Sequence, residues 1–367
     1  MTTRVGRRSV LRGAAGAVVA ASLPLPAFAQ QKPVKIGLLT VKTGPLAQGG
    51  LQMEQGTDLY LKDTGSMMAG RKVELIVGDT GGNPAGAKTK AQELIERDDV
   101  DMIFGPLAAF ELLAISSYVA SKKVPILSLA AAEDMTQRKP NPYFVRASAT
   151  AAQAMQPLGD YAAKELKYKT AMTITEDFAF GYEQMGGFQR VFEGNGGRVT
   201  KKLWPPIVTP DYTPYLAQIT GVDAVVQGFA GSNPVKFMKQ YKDAGLKLPV
   251  IGGETAGDDA LLKSFGDEAI GLISASPYSS DFDSPSNRKF AAGMLKNYGN
   301  IPGLYAAGLY INGMVASAAL EKTDGKTDDK EALITALRAV SLTDTPRGAF
   351  HFDHFGNVVG NIFIRRC

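Results

Sequence analysis

Short apolar strands alternate with helix-length segments, and the alternation occurs twice along the chain. Residues 34–40, 72–78, 100–104 and 124–129 are runs of four to eight mostly apolar residues bounded by turn residues, which predicts buried strands. Helices are predicted between them at 53–61, at 84–95 after Asn83-Pro84, and at 108–119 after a Gly105-Pro106 turn. Continuously apolar strands separated by helices form parallel sheets covered on both faces. From about residue 151 the pattern restarts. Strands are predicted at 170–175, 198–204, 224–228, 249–252 and 269–276. Helices are predicted at 151–165, 181–192, 212–219, 234–244 and 258–265. The fold class is therefore α/β, with two doubly wound lobes. Loops after parallel strands gather at the carboxyl edge of each sheet, where ligands bind.

The last ninety residues break this rhythm. Helices are predicted at 285–298, 304–320 and 330–340, with a polar turn at 325–329. A Gly356-Asn357 turn between 349–353 and 358–364 predicts a terminal β-hairpin.

The first residues carry a different signal. Arg4, Arg7, Arg8 and Arg12 precede an apolar stretch at 13–25, and no acid occurs before Glu54. That stretch is too short to span a bilayer. Ala27-Phe28-Ala29 then supplies a small-x-small cleavage site, so residues 1–29 read as a removable signal peptide. The Arg7-Arg8 pair resembles a twin-arginine export motif. A mitochondrial presequence or a basic tail is the competing reading. The expected location is the periplasm.

Removing the leader changes the charge balance. The chain has 40 basic and 36 acidic residues; less the four leader arginines, 36 stand against 36. A neutral mature chain offers no electrostatic case for a nucleic-acid partner. The single cysteine, Cys367, can form no internal disulfide; it either links two chains or has no role.

Catalytic chemistry finds little material. The two histidines, His351 and His354, flank Asp353 in the predicted hairpin, too few for a histidine-rich metal site. An odd separation puts them on opposite strand faces. Neither a Gly-x-Ser-x-Gly elbow nor a dinucleotide fingerprint is present. No catalytic residue, metal or cofactor is expected, and an exported enzyme is the weaker alternative.

The ordered set Ile36-Gly-Leu-Leu-Thr-Val-Lys-Thr-Gly-Pro45, Gly105-Pro-Leu-Ala108, Val124-Pro-Ile-Leu-Ser128, Asn141-Pro-Tyr-Phe-Val-Arg146, Tyr241-Lys-Asp-Ala-Gly-Leu246 and Gly252-Gly-Glu254, with Phe352-Asp353 and Gly356-Asn357, resembles the type I periplasmic solute-binding proteins of the branched-chain amino acid class. The resemblance covers nearly all of the mature chain. It implies two lobes joined by hinge crossovers, the first from 31–148 plus 277–345 and the second from 149–276 plus 346–367. It also implies a small-molecule solute, the membrane permease of an ABC importer as partner, and a monomer. A ligand sensor feeding a receptor uses the same closing cleft.

The amino-acid binders of that family hold the ligand carboxylate with hydroxyls and backbone amides. Here Ala109 stands about where a serine is usual, and Ala131 and Ala132 occupy a loop where a threonine is usual. The loop at 229–233, ending in Asn233, lacks a tyrosine seen in several members. Glu254 matches the position of the family's ammonium-binding glutamate. The pattern is half kept. Phe110, Phe180, Tyr182 and Tyr278 are candidate aromatic contacts, with ordinary packing as the competing reading for each. Backbone amides at Ala131 and Ala132 remain available for an anion. Arg146 is either a cleft cation or part of a hinge, and Glu133 and Asp134 either cap a helix or touch ligand. Fewer small polar groups and more rings favour an aromatic carboxylate; a branched aliphatic acid, amino acid or amide is the alternative.

Overall fold

The computed structural model describes residues 32–367; the leader expected at 1–29 lies outside the described residues. Pro33–Cys367 forms one compact unit. Strand β1 (Val34–Thr40) leads through a turn to helix α1 (Ala47–Asp63), the short strand β2 (Met67–Met68) and β3 (Arg71–Asp79). Helix α2 (Pro84–Gln92), β4 (Met102–Phe104), α3 (Ala109–Ser121), β5 (Ile126–Leu127) and β6 (Phe144–Val145) complete the first series. The sheet order is β2-β3-β1-β4-β5-β6, parallel except for the β2–β3 pair.

The second series runs α4 (Ala151–Lys164), β7 (Thr170–Ile174), α5 (Ala179–Gly194), β8 (Arg198–Leu203), α6 (Thr213–Leu216), β9 (Ala224–Gln227), α7 (Asn233–Asp243), β10 (Val250–Gly252), α8 (Leu262–Phe265) and β11 (Ile273–Ser276). Local signals place several helix starts. Asn83 accepts the Gly86 N–H at α2, with proline at the first helical position. Thr150 and Gln153 form a reciprocal capping box at α4.

Three helices follow: α9 (Pro285–Tyr298), α10 (Leu304–Lys322) and α11 (Lys330–Arg338). Their apolar residues, including Phe290, Leu309, Val315 and Leu333, join the core built on the first sheet. A small sheet of β12 (Ser341–Leu342), β13 (Phe350–Phe352) and β14 (Val358–Gly360) comes next, and the chain ends in β15 (Phe363–Arg366).

Several expectations from the sequence change. The second arm of the terminal hairpin divides at Asn361: β14 pairs with β13, whereas β15 pairs antiparallel with β11 at the edge of the second sheet. An unpaired sheet edge leaves backbone donors and acceptors unsatisfied, and β15 satisfies them. His354 lies in the turn after β13 rather than on a strand. The helix predicted at 53–61 begins earlier, at Ala47, and takes in Gly49 and Gly50. Added β-carbons at Gly50 and Gly56 would sit 1.9 Å from the Val41 carbonyl oxygen and 2.1 Å from that of Ala306, so these glycines let α1 pack closely. The strand predicted at 124–129 keeps only two residues, freeing Leu129 onward as a loop. The helix predicted at 258–265 is a 3-10 turn followed by one α turn.

The chain passes between the lobes three times. Buried arginines tie these crossings to backbone carbonyls. Arg146 donates to Ala130 O at 3.2 Å, to Ala132 O and to Asn357 Oδ1. Arg347 donates to Ala147 O at 3.1 Å and Asn361 O at 3.0 Å. Arg365 pairs with Asp259 at 2.9 Å and reaches the Tyr278 carbonyl. Among the described residues, no helix is long and apolar enough to cross a membrane.

Candidate functional site

Between the lobes lies a space of about 380 Å³, its mouth included. The first lobe contributes Leu46, the start of α3 (Leu107, Ala108, Ala109), the loop after β5 (Leu129, Ala130, Ala131) and the start of α10 (Leu304, Tyr305). The second lobe contributes Phe178 and Phe180 at the start of α5, Ala230 after β9, and Glu254 and Thr255 after β10. All of these segments but the α10 start follow strand carboxyl ends, as the alternation predicts.

Three helices of eight or more residues therefore begin at the cavity: α3, α5 and α10. Each first turn leaves backbone N–H groups without helical acceptors, and each helix start carries partial positive charge. Glu111, fully buried, takes the Ala108 N–H at 3.0 Å and the Thr80 hydroxyl, which fixes the entry to α3. The N–H groups of Ala109 and Phe110 engage no acceptor among the described residues, and neither do those of Ala131 and Ala132. Ser128 locks the two loops together. Its hydroxyl donates to Pro106 O at 2.8 Å and accepts the Ala130 N–H at 3.0 Å.

Aromatic rings form the opposite wall. Phe178 and Phe180 stack with centroids 5.9 Å apart and an interplanar angle of 27°. Phe110 meets Phe178 edge-to-face at 5.3 Å. This chain of rings runs from the first lobe into the second.

The lobes are in contact. Ser232 N–H donates to Pro45 O at 3.0 Å, and Asp258 accepts the Leu304 N–H at 2.7 Å. Glu133 N–H donates to Glu183 Oε1 at 3.0 Å. Burial pushes Asp258 up to about 6, with Asp259 adding to the shift and the Leu304 N–H and Arg365 opposing it.

Of the residues singled out from sequence, Ala109, Ala131, Phe180 and Glu254 line the cavity. Phe110 stands behind Phe178, and Ala132 is the next residue on the Ala131 loop. Arg146 is fully buried, spends its donors on the crossing described above, and is lowered to about 10 by burial. Asn233 lies beneath the Ala230 loop, donating to Glu176 Oε1 at 3.0 Å and Ile207 O at 2.9 Å. Tyr182 is 46% exposed, its hydroxyl on Asp177 and its ring against Trp204, apart from the cavity. Tyr278 is buried in the first-lobe core, donating to Asn287 Oδ1 at 3.0 Å and packing on Phe290, also apart from the cavity. Glu133 accepts the Thr150 hydroxyl at 3.0 Å, and Asp134 pairs with Arg138.

Sequence reasoning missed Phe178, Leu304 and Tyr305. Phe178 was legible as a second ring two residues before Phe180. Tyr305 was hidden by the apolar run of α10, where most residues pack into core.

Two α/β lobes meeting over a cavity lined from both sides define a two-lobe solute-binding protein. The chain belongs to the periplasmic binding protein family, whose model matches residues 33–367. It is 35% identical to a solute-binding protein of an ABC transporter from Rhodopseudomonas palustris BisB5, solved with 3,4-dihydroxybenzoic acid; the match covers 91% of this chain and 93% of that one, with a TM-score of 0.86. A second solute-binding protein from R. palustris, solved with benzoate, matches at 26% identity and TM-score 0.87 over 91% and 93% of the two chains. A Leu/Ile/Val-binding protein homolog from Brucella suis is 29% identical over 344 residues, 90% of this chain and 87% of its own.

Proposed function

We propose that this protein is the periplasmic solute-binding component of an ABC importer and that its solute is a small aromatic carboxylic acid. The observation that carries the reading is the cavity wall. Phe178 and Phe180 present a stacked pair, Tyr305 adds a third ring, and the α3 start with its unengaged Ala109 and Phe110 N–H groups provides an anion site. A flat ring with one carboxylate suits both: the ring lies against aromatic faces, and the carboxylate meets backbone donors at a helix start. The solved relatives that hold 3,4-dihydroxybenzoate and benzoate support the same class.

The lobes, 31–148 with 277–345 and 149–276 with 346–367, act as the two jaws. Ligand touching both jaws favours the closed form, and the closed form is what a permease reads. The leader at 1–29 delivers the chain as a monomer to the periplasm. Calorimetry with the purified protein tests the ligand class. Benzoate and 3,4-dihydroxybenzoate are expected to bind more tightly than leucine, and the reverse order would sink the reading. Branched-chain amino acid binding stands as the second reading because Glu254 lines the cavity.

A further inference from the structure

Glu254 is only 3% exposed, yet its carboxyl makes no hydrogen bond and no ion pair among the described residues. Each neighbouring acid has at least one carboxyl oxygen engaged, although the second oxygens of Glu176 and Glu183 have no partner among the described residues. Glu176 accepts from the Ala230 N–H and Asn233, Asp258 from the Leu304 and Ala260 N–H groups, and Glu183 from the Glu133 N–H. A carboxyl this deep in the protein and without a protein partner is available to a ligand group. It lies on the wall of the interlobe cavity.

The neighbouring arginines direct their hydrogen bonds elsewhere, and Arg347 Nε has no partner among the described residues. Arg146 and Arg347 give their hydrogen bonds to backbone carbonyls and Asn357. Arg365 pairs with Asp259 and meets Glu254 only at its backbone oxygen, at 3.4 Å. An ionised Glu254 would have no direct hydrogen-bond or ion-pair partner, and an incoming carboxylate would make it two like charges in one small space. The protonated carboxyl avoids both costs and presents one O–H donor.

We infer that Glu254 is the specificity-determining residue of the cavity, donating a hydrogen bond from its acid form to an oxygen atom of the bound ligand. The inference rests on the acid-binding reading above. It selects ligands with a carboxylate, hydroxyl or carbonyl oxygen facing Glu254, and disfavours an ammonium group there, which needs an acceptor. Burial favours this state, and three neighbouring arginines oppose it. Burial pushes Glu254 up to about 8; Arg146, Arg347 and Arg365 pull it down, and Glu183 pushes it further up. Tyr305, the ring beside it on the cavity wall, is a phenol pushed further toward its neutral form by burial, with Asp258, Glu254 and Glu176 adding to the shift. An ammonium ligand must ionise Glu254, which at pH 7 costs about tenfold in affinity for a group one unit above ambient pH.

The test uses the full mature protein, with benzoate, 3,4-dihydroxybenzoate and leucine as probes. Titrations compare the wild type with Glu254→Ala and Glu254→Gln, after thermal melts establish that each variant is folded. Glutamine keeps an N–H donor and cannot ionise. For the acid probes, Glu254→Ala is expected to bind at least tenfold more weakly, and Glu254→Gln to recover most of that loss. Wild-type affinity for benzoate, whose charge is constant above pH 6, is expected to fall from pH 7 to pH 9. About tenfold of that fall should vanish in Glu254→Gln. Glutamine doing no better than alanine, for whichever probe the wild type binds, overturns the donor role; so does leucine binding that only the ionisable residue supports. Failure of the wild type to bind either aromatic acid while binding leucine overturns the ligand reading instead, and the glutamine comparison on leucine then judges the donor role separately.

Discussion

The Glu133 N–H, on the loop after β5 in the first lobe, donates to Glu183 Oε1 on α5 in the second, at 3.0 Å. The contact joins the two jaws beside the ligand cavity, and it buries a carboxyl. The second Glu183 oxygen has no partner among the described residues. Burial raises Glu183 to about 8. The Glu133 N–H and Arg146 pull it down, while the Glu133 and Asp134 carboxylates push it up. Arg138 faces the same group through its 2.6 Å pair with Asp134.

That relationship sets a pH dependence for closure. Opening returns Glu183 toward water and the ordinary carboxylate range, so the closed form holds the proton more tightly. Closure is favoured below the ordinary range and is lost as pH rises through about 8. Small-angle scattering of the ligand-free protein should show the radius of gyration increasing from pH 6 to pH 9. Glu183→Gln should show a smaller increase; an equal one would exclude Glu183 as the group responsible.

Gly231 has φ +60°, and an added β-carbon would sit 2.1 Å from the Pro45 oxygen, the atom that accepts the Ser232 N–H. Gly231→Ala therefore blocks the jaws' approach while leaving each lobe's core untouched. Ligand affinity should drop at least tenfold. The left-handed backbone adds a fold cost of roughly 1 kcal/mol, so the ligand-free melting temperature should change by only a few degrees. Unchanged affinity in calorimetry would show that this seam does not govern closure.

Phe110 does not line the cavity; it supports Phe178, which does. Phe110→Ala should weaken ligand binding more than it lowers stability, because Phe110 is only half-buried. A double-mutant cycle with Phe178→Ala should return a coupling of roughly 0.5–1.5 kcal/mol in binding. Additive effects would mean that the two rings act independently.

Arg146→Met tests the crossing rather than the ligand site. It leaves the Ala130 and Ala132 carbonyls without their donor inside a dry interior. A stability loss of roughly 2–4 kcal/mol is expected from the buried groups left unpaired, measured by urea unfolding. A loss below 1 kcal/mol would assign Arg146 a different role.

Much of the site was legible by position. Ala131 and Glu254 sit on loops after predicted strands, and Ala109 and Phe180 in the first turns of the helices that follow such strands; strand ends are where parallel sheets gather their loops. Tyr182 and Phe180 occupy one helix only two residues apart, so their side chains leave it in different directions: one reaches the cavity wall and the other solvent. Tyr278 stands on a loop past a strand end as well, but Asn287 offers its hydroxyl a partner in the core. Nothing local distinguishes these outcomes.

The alternation of strands and helices, and with it the parallel sheets, is written locally, because apolar periodicity and capping residues act within a few positions. Asn83, Thr150 and Ser284 each cap the helix that begins next to them. Long-range packing settles that 363–366 leaves the hairpin to complete the second sheet, that Arg146 serves carbonyls, and that the Glu254 carboxyl has no protein partner. Those outcomes depend on which groups lose water together and which partners are already taken, and both are settled between residues far apart in the chain.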